Sequence, residues 1–418
     1  MRLLSRLALF VTENCNLCCD YCFAHNREPA MMEMARAKKA LDFFFEHSDV
    51  STPLALSFWG GEPLLNFSLI TELVDYARKK AGSRKISFSL PTNVTLLNRE
   101  KLDFLLANEV SLSLSLDGLA PSQNRRALAS GQPSFPLVLK ALDLIHEYYG
   151  RNLPAVRKTV TPDNIEAMEK DTLFFLDQGF RHLAISPDMD VPWDSAALGL
   201  YAAGQKALGD RWLSQLEAGD AFYIRSWIDL WMLEDLAGKE DFAFRRFICG
   251  AGSSMVAVDI HGRLFPCHRM VFSGRESGRF QIGSIDQGFD LAARQLYLDV
   301  SSELAHDCRA CGLEKICGLL CPASNAVLSA SINRSGKPAC DFYALGLAFL
   351  KSLDEKAAAF PAYQAFRSGL KKSAYWQGPD SLYGWYFWKA LDSEAREGLE
   401  SKTMAILESL KNKRKAYE

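Results

Sequence analysis

The sequence predicts an α/β protein whose first half forms a partial (β/α)6 TIM-like barrel. Short β-rich runs alternate with segments of helical period from residue 7 to about 185, at steps of roughly 30 residues, as in strand–helix units on a parallel sheet. Six units are too few to close an eight-stranded barrel, so we expect an open one. A cysteine cluster directly follows the first strand, at the end of the barrel where function gathers in such folds.

The individual elements follow from this alternation. The predicted strands are Leu7–Thr12, Leu54–Phe58, Ile86–Leu90, Val110–Leu116, Ala155–Val160 and His182–Ile185. The predicted helices between them are Ala35–His47, Leu69–Ala81, Arg99–Ala107, Pro136–Tyr149 and Ile165–Gln178. The composition and cysteine spacing of the rest of the chain predict four parts: a barrel (1–195), a helical bridge (196–245), a cysteine-rich domain (246–345) and a helical C-terminal extension (346–418).

Length and charge exclude several classes of protein. The chain has 418 residues, more than the roughly 250–300 at which one core stops growing, so more than one domain is expected. A net charge of -2 does not favour nucleic-acid binding. The apolar run after Arg6 is too short for a signal peptide, and no run of about 18 apolar residues predicts a membrane span. Eleven cysteines then favour reduced, metal-binding thiols in a largely oxygen-free cytoplasm.

The cysteine loop runs from Cys15 to Cys22 and holds four cysteines in eight residues. Cys15, Cys19 and Cys22 can hold three irons of a cubane [4Fe-4S] cluster, which leaves the fourth iron open to a substrate or cofactor. Cys15, Cys18 and Cys22 form an alternative triad. Zinc and a disulfide are further alternatives, but zinc favours four ligands and disulfide frameworks suit small secreted chains.

The spacing of Cys15, Cys19 and Cys22, with the aromatic Tyr21 before the last cysteine, resembles the signature loop of the radical S-adenosylmethionine (radical SAM) enzymes. We prefer this triad, with Cys18 as a spectator, because Tyr21 then stands where the family has its aromatic residue. The resemblance implies that the open iron binds SAM, and that one electron cleaves SAM to methionine and a 5′-deoxyadenosyl radical.

Three motifs after the next strands resemble further family motifs. They are Trp59-Gly-Gly-Glu-Pro63, Pro91-Thr-Asn-Val94 and Ser113-Leu-Ser-Leu-Asp-Gly118, which correspond to the family's GGEP motif, Thr-Asn turn and Ser-x-Asp-Gly turn. The resemblance implies that Gly60, Gly61 and Glu62 bind the SAM amino group, and that Asn93 and Ser115 contact its carboxylate or ribose. Arg157 is a candidate partner for the carboxylate. After the turn that corresponds to Asp117-Gly118, relatives often carry His-Asp and then Arg. This chain has Gln123-Asn-Arg-Arg126 there, and we assign this stretch no catalytic role.

A second set of cysteines begins at Cys249 and resembles the SPASM extension of radical SAM proteins. After Cys249, Gly262 and Cys267, the gaps in Cys308, Cys311, Cys317 and Cys321 are two, five and three residues, and Cys340 closes the set. The resemblance implies an outer auxiliary [4Fe-4S] cluster on Cys308, Cys311, Cys317 and Cys340, and an inner one on Cys249, Cys267 and Cys321. Some relatives have an eighth cysteine, absent here. The inner cluster would then have an open iron for a substrate thiolate or a non-cysteine ligand. A single zinc in place of one cluster is the alternative.

The catalytic base is a separate question. In sulfatase-maturing relatives an aspartate follows the cysteine that corresponds to Cys267, whereas here His268 follows it. The candidate bases are His268, since histidine titrates near neutrality, and Asp188 and Asp190 after the sixth strand.

Together these features predict a radical SAM/SPASM enzyme that abstracts hydrogen from a peptide or protein side chain. The leading interpretation is maturation of a ribosomally synthesised peptide through a thioether or C–C crosslink or an oxidation. The alternatives are formylglycine formation as in anaerobic sulfatase maturases, a small-molecule radical SAM reaction, and a non-catalytic iron–sulfur electron carrier or scaffold. Expected partners are the peptide or protein substrate, an electron donor such as flavodoxin or ferredoxin, and a separate leader-peptide-recognition protein, because we expect no recognition domain before residue 7.

Overall fold

The computed structural model describes residues 3–24, 27–50, 52–237, 249–273, 278–298 and 321–372. In these ranges the strands β1 to β13 are, in chain order, Arg6–Thr12, Leu17–Cys19, Leu54–Gly60, Ile86–Thr92, Val110–Ser115, Arg126–Leu128, Ala155–Val160, His182–Pro187, Tyr223–Ile224, Met255–Val258, Arg263–Phe265, Gly283–Ser284 and Gly288–Phe289. The helices α1 to α12 are Met34–Glu46, Phe67–Ala81, Arg99–Ala107, Ala120–Gln123, Phe135–Tyr149, Met168–Asp177, Ser195–Glu217, Arg225–Ala237, Leu291–Leu298, Pro322–Ser329, Lys337–Ala357 and Pro361–Lys372.

The parallel barrel predicted from the sequence is confirmed. Within the described ranges, eleven strands form one sheet in the order β13-β12-β11-β10-β1-β3-β4-β5-β7-β8-β9. The six predicted strands are β1, β3, β4, β5, β7 and β8, and each is parallel to its neighbour. Between successive strands the chain forms the predicted helices, and α6 is preceded by a short 3-10 turn, Ile165–Ala167.

The two faces of the barrel sheet carry side chains of different size. Leu7, Leu56, Phe88 and Val110 are in register across four strands and are buried. The neighbouring row consists of Ala8, Ser57, Ser89 and Ser111, and all four line a cavity. Closed barrels fill this position with bulky branched side chains, so the small residues leave room inside the barrel.

Strands from later in the chain extend the sheet at both sides. β10 pairs in parallel with β1, and β9 pairs in parallel with β8. The periodicity of the first half did not predict either pairing, because β9 has only two residues and β10 lies far from β1 in sequence. We find no helix in the described part of the chain whose length and apolar content would carry it across a bilayer.

The proposed domain boundaries fall at different kinds of position. The boundary at 195/196 lies at the start of α7, Ser195–Glu217. The boundary at 345/346 lies inside α11, Lys337–Ala357, so the helix that carries Cys340 continues into the proposed extension. Residues 238–248, 299–320 and 373–418 lie outside the described part.

Candidate active site

The cysteine loop follows β1 and is held by a separate two-stranded sheet. β2 pairs antiparallel with β6, so that Cys18 is opposite Ala127 and Cys19 is opposite Arg126. The Cys22 thiol is close enough to help raise the pKa of both Cys15 and Cys19, whereas Cys18 is exposed. This placement agrees with the preferred triad, and the ligand assignment itself stays a prediction.

Burial of the triad sets its electrostatic requirement. Burial raises the pKa of Cys19 to about 11, and it also raises the pKa of Cys15. A buried thiol ionises only when positive charge nearby compensates for the lost solvation. Iron supplies such charge, since a coordinating thiol is deprotonated by its metal. Three converging thiols are therefore a donor set that fits a [4Fe-4S] cluster with one open iron.

The Gly-Gly-Glu turn at the end of β3 packs directly against the start of the cysteine loop. A Cβ atom at Gly60 would lie 2.4 Å from the carbonyl oxygen of Thr12, and one at Gly61 would lie 2.4 Å from that of Asn14. The backbone N–H of Glu62 donates to the Asn14 carbonyl at 2.8 Å. Only glycine permits this approach, which explains why two glycines precede the glutamate.

Glu62 is a buried carboxylate held by three donors. Its Oε1 accepts from the Leu64 backbone N–H at 3.2 Å and from the Thr92 hydroxyl at 2.8 Å, and its Oε2 accepts from the Asn93 backbone N–H at 2.7 Å. Burial raises the pKa of Glu62 to about 7, although these hydrogen bonds oppose the shift. Because the group is close to its ionisation midpoint at neutral pH, an ammonium group beside it would favour the carboxylate form.

Asn93 belongs to a small polar network with the cysteine loop. Its Nδ2 donates to Asn16 Oδ1 at 2.9 Å, Asn16 Nδ2 donates to the Thr95 hydroxyl at 2.8 Å, and that hydroxyl donates to Asn93 Oδ1 at 2.7 Å. Sequence reasoning missed Asn16. Its position between Cys15 and Cys18, inside the cysteine loop, was the available signal.

Arg126 is a second residue that the sequence analysis missed. Its guanidinium donates to the Tyr21 hydroxyl at 2.7 Å, and that hydroxyl donates to the carboxylate of buried Asp117. Burial opposes the charge on Arg126, but the charges of Cys19, Tyr21 and Asp117 hold its pKa well above the usual range. A fixed positive charge therefore lies beside the cysteine loop, supplied by the stretch to which we assigned no catalytic role.

The turn after β5 rests on a buried ion pair. The Lys158 ammonium donates to the Asp117 backbone carbonyl at 2.6 Å and to Asp171 Oδ2 at 2.7 Å. Asp171 also accepts from the Ser122 hydroxyl at 2.6 Å. Gly118 has a φ of +122°, and a Cβ atom there would lie 2.3 Å from the Cβ of Asp171. The pair thus positions Asp117, and through it the Tyr21 hydroxyl.

Ser115 and Arg157 are register neighbours on β5 and β7. Both line the cavity, and the Arg157 guanidinium lies over the Trp59 ring at 5.9 Å. The Arg157 side chain is exposed to the cavity, and desolvation by the surrounding protein, with the charges of Arg225 and Arg269, lowers the pKa of Arg157 to about 10. No carboxylate in the described ranges offsets this effect, so the site would gain from binding an anionic group.

Three cysteines of the second set also converge. Burial raises the pKa of Cys267 to about 12 and that of Cys249 to about 11, and in both the charge of Cys321 adds to the effect. In the described ranges, no three His, Cys, Asp or Glu side chains are placed to hold a single metal ion. A cubane cluster instead takes its thiolates on separate irons, and this donor set fits one.

Of the four cysteines proposed for the outer cluster, the structure describes one. Cys308, Cys311 and Cys317 lie outside the described residues. Cys340 lies in the first turn of α11 and is exposed. The assignment of these four cysteines therefore stays a prediction.

His268 follows Cys267 and stacks on Trp59, with ring centroids 3.8 Å apart and an interplanar angle of 18°. Burial, together with the charges of Arg157 and Arg269, holds its pKa well below the usual range. The imidazole is therefore neutral and, as a base, weak. Its role as a catalytic residue stays a hypothesis.

The two candidate aspartates follow β8 and line the same cavity. Asp190 forms an ion pair with Arg269 through Oδ2, and its Oδ1 accepts no hydrogen bond from the described residues. Asp188 Oδ1 accepts from the Asp190 backbone N–H at 3.0 Å. Asp190 Oδ1 is therefore a buried acceptor that a substrate group in the cavity can reach as a hydrogen-bond donor.

One cavity of about 1910 Å³ connects these groups. Its lining includes both cysteine triads, namely Cys15, Cys19, Cys22, Cys249, Cys267 and Cys321, and the strand-end residues Gly60, Gly61, Glu62, Asn93, Ser115 and Arg157. A molecule bound there can contact groups from both sets.

Comparison with known proteins gives a family match and several relatives. Residues 9–172 match the family model described as the radical SAM superfamily. The cysteine-type anaerobic sulfatase-maturating enzyme of Clostridium novyi is 26% identical over 340 residues, which cover 76% of this chain and 87% of the relative.

Two solved structures have the same fold. Native anSMEcpe with bound AdoMet and Cp18Cys peptide superposes with a TM-score of 0.69 at 22% identity, covering 84% of this chain and 99% of that chain. Streptococcus suis SuiB bound to precursor peptide SuiA gives a TM-score of 0.54 at 16% identity, covering 81% of this chain and 76% of that chain.

Proposed function

Because this chain belongs to the radical SAM superfamily, we propose that it is a maturase that modifies a C–H bond of a peptide or protein side chain. It is an enzyme whose cofactors are SAM and a [4Fe-4S] cluster, so the alternative of a non-catalytic carrier or scaffold is set aside. The observation that carries the proposal is the single cavity lined by both cysteine triads. A substrate there meets the SAM-binding strand ends and the second triad together.

The first triad and the strand ends would hold the SAM-dependent centre. Cys15, Cys19 and Cys22 would ligate three irons. When bound, the cluster and SAM supply the one-electron chemistry that removes a hydrogen atom from an unactivated C–H bond. Glu62, with a pKa of about 7, would take the amino group of SAM, and Arg157 would take its carboxylate.

The remaining SAM contacts come from two turns. Gly60 and Gly61 let the backbone approach the ligand closely. Asn93, fixed by its hydrogen bond to Asn16, and Ser115 would orient the carboxylate or ribose. Each group is held by β3, β4 or β5, so the site is built on rigid strands rather than on a mobile loop.

The second triad would serve the later part of the reaction. Cys249, Cys267 and Cys321 would hold the inner auxiliary cluster, and a substrate thiolate or a non-cysteine ligand would complete its coordination. Asp190 would accept the proton that the substrate releases, at its free Oδ1. Cys308, Cys311, Cys317 and Cys340 would hold the outer auxiliary cluster.

Two substrate classes have specific support. A ribosomally made peptide is the leading candidate, because structures of the same fold contain bound peptides. Formylglycine formation in a sulfatase is the second, because a sulfatase-maturating relative aligns over 76% of this chain. Against the second candidate, His268 occupies the position after Cys267 where an aspartate would be expected. A flavodoxin or ferredoxin would supply electrons, and a separate protein would recognise a leader peptide.

Anaerobic co-expression tests the proposal. The chain is expressed with a short peptide or a sulfatase encoded beside its gene, and the product is analysed by mass spectrometry. A mass change in the peptide supports peptide maturation, whereas a cysteine-to-formylglycine change confined to the sulfatase would show that the second substrate class is the correct one. Cys18→Ala serves as the matched control for Cys19→Ala: the first should keep the modification and the second should lose it. If the purified, reduced protein produces no 5′-deoxyadenosine from SAM, the proposed chemistry is wrong.

A further inference from the structure

Arg269 connects the second cysteine triad with the substrate cavity. It lies two residues after Cys267, in the 3-10 turn His268–Met270. Its Nη1 donates to Cys321 Sγ at 3.4 Å and to the Ser324 hydroxyl at 2.8 Å, and its Nη2 donates to the carboxylate of Asp190. The guanidinium is thus held from three sides and directs one N–H at a cysteine sulfur.

The contact with Cys321 has a defined electrostatic consequence. Reduction of an iron–sulfur cluster adds a negative charge that spreads onto its sulfur ligands. Hydrogen bonds to those sulfurs, and net positive charge nearby, favour the reduced form and raise the reduction potential. Asp190 acts in the opposite direction through its charge, while it also fixes the orientation of the arginine.

The first triad provides an internal comparison. Arg126 lies opposite Cys19 in register, but its guanidinium donates to the Tyr21 hydroxyl, and no hydrogen bond from it to a cysteine sulfur is among those of the described residues. The two arginines therefore affect different triads, and only Arg269 contacts a sulfur directly.

We propose that Arg269 is a positioning residue that sets the reduction potential of the inner auxiliary cluster through its hydrogen bond to Cys321, with Asp190 as its counter-charge. This inference rests on the proposed function, since it requires a cluster on Cys249, Cys267 and Cys321. The inference gives Arg269 a role and gives Asp190, the proposed base, a second one. The property concerned is the reduction potential of the inner cluster rather than the rate of catalysis.

An anaerobic redox titration followed by electron paramagnetic resonance tests the proposal. The background is the full chain with Cys15, Cys19 and Cys22 replaced by alanine, so that only auxiliary clusters contribute. In that background we expect Arg269→Gln to shift one auxiliary potential to more negative values, and Arg269→Lys to shift it less. We expect Asp190→Asn to shift the same potential to more positive values. Arg126→Gln, the matched control, should leave it unchanged.

The opposite signs separate tuning from loss of structure. A variant that merely loosens the site and admits water would move the potential in the same direction for Arg269→Gln and Asp190→Asn. Shifts of equal sign, or no shift in either variant with iron and sulfide content intact, would overturn the role of Arg269. Absence of iron in the alanine background itself would overturn the auxiliary site, and the role of Arg269 with it. The two failures are therefore distinguishable.

Discussion

Replacing Asp171 with asparagine should destabilise the protein severely, although the change removes only one charge. The side chains of Lys158 and Asp171 are 0% and 1% exposed, and their charged atoms lie 2.7 Å apart. In Asp171→Asn the Lys158 ammonium keeps its contact with the Asp117 carbonyl but loses its counter-charge. Breaking such a buried pair from one side costs about 3–5 kcal/mol, because an uncompensated charge stays inside the protein.

The assay is urea unfolding of the reduced apoprotein under anaerobic conditions. Glu147→Gln is the matched control, because it removes the carboxylate of a pair with Arg99 whose side chains are 51% and 61% exposed. An exposed pair contributes little to stability, because water screens both charges. If Asp171→Asn lowers the free energy of unfolding no more than Glu147→Gln does, the reasoning from burial is wrong.

Two further measurements extend this test. The double variant Lys158→Met/Asp171→Leu should recover part of the lost stability, because neither charge is then buried alone. In the reconstituted protein, Asp171→Asn should also lower iron content at the first triad, because the pair positions Asp117 and thereby Tyr21. Full iron content despite the lost stability would show that the cysteine loop does not depend on this turn.

Three other predictions test the first site. Glu62 has a pKa of about 7 in the folded protein and about 4.5 when unfolded, so the folded state binds more protons between these two pH values. The stability of the apoprotein should therefore fall by about 3 kcal/mol as the pH rises from 4.5 to 7. Glu62→Gln should remove this pH-dependent part of the stability, and an unchanged pH profile in urea unfolding would contradict the prediction. Gly61→Ala should weaken SAM binding in equilibrium dialysis by at least about tenfold, because the added Cβ would lie 2.4 Å from a backbone oxygen and a loss of about 1.4 kcal/mol already gives that factor. Gly199→Ala is the control and should bind SAM normally, because a Cβ atom there has no neighbour within 4 Å. Cys19→Ala should lose the iron of one cluster, whereas Cys18→Ala, at an exposed cysteine, should keep it. Iron lost in Cys18→Ala and kept in Cys19→Ala would favour the alternative triad.

Much of the fold could be predicted because the signals are local. The strand at Leu54–Gly60 was predicted as Leu54–Phe58 from a short β-rich run, and the other five barrel strands were predicted in the same way. The rule that chemistry gathers at the carboxyl ends of parallel strands then predicted a common site for the turns after β3 and β4. The hydrogen bond from the Asn93 backbone to Glu62 Oε2 joins those two turns.

The contacts that could not be predicted join residues far apart in the chain. Arg126 and Tyr21 are 105 positions apart, and Arg269 and Asp190 are 79 apart. Neither arginine belongs to a periodic pattern or to one of the motifs that carried the resemblance. Their partners depend on the pairing of β2 with β6 and on the end of β8, which single-sequence patterns do not specify.

By itself, the sequence determined which cofactor chemistry to expect, because Cys15, Cys19 and Cys22 lie on one short loop and their separation is limited by covalent geometry. The tertiary structure alone decided that the loop shares a cavity with Cys249, Cys267 and Cys321, since β10 adds to the sheet beside β1. It also decided which charges face the sulfurs. Burial strengthens the effect of those charges, because two charges interact more strongly where water is excluded. Burial depends on how the chain packs and not on the spacing of residues along it.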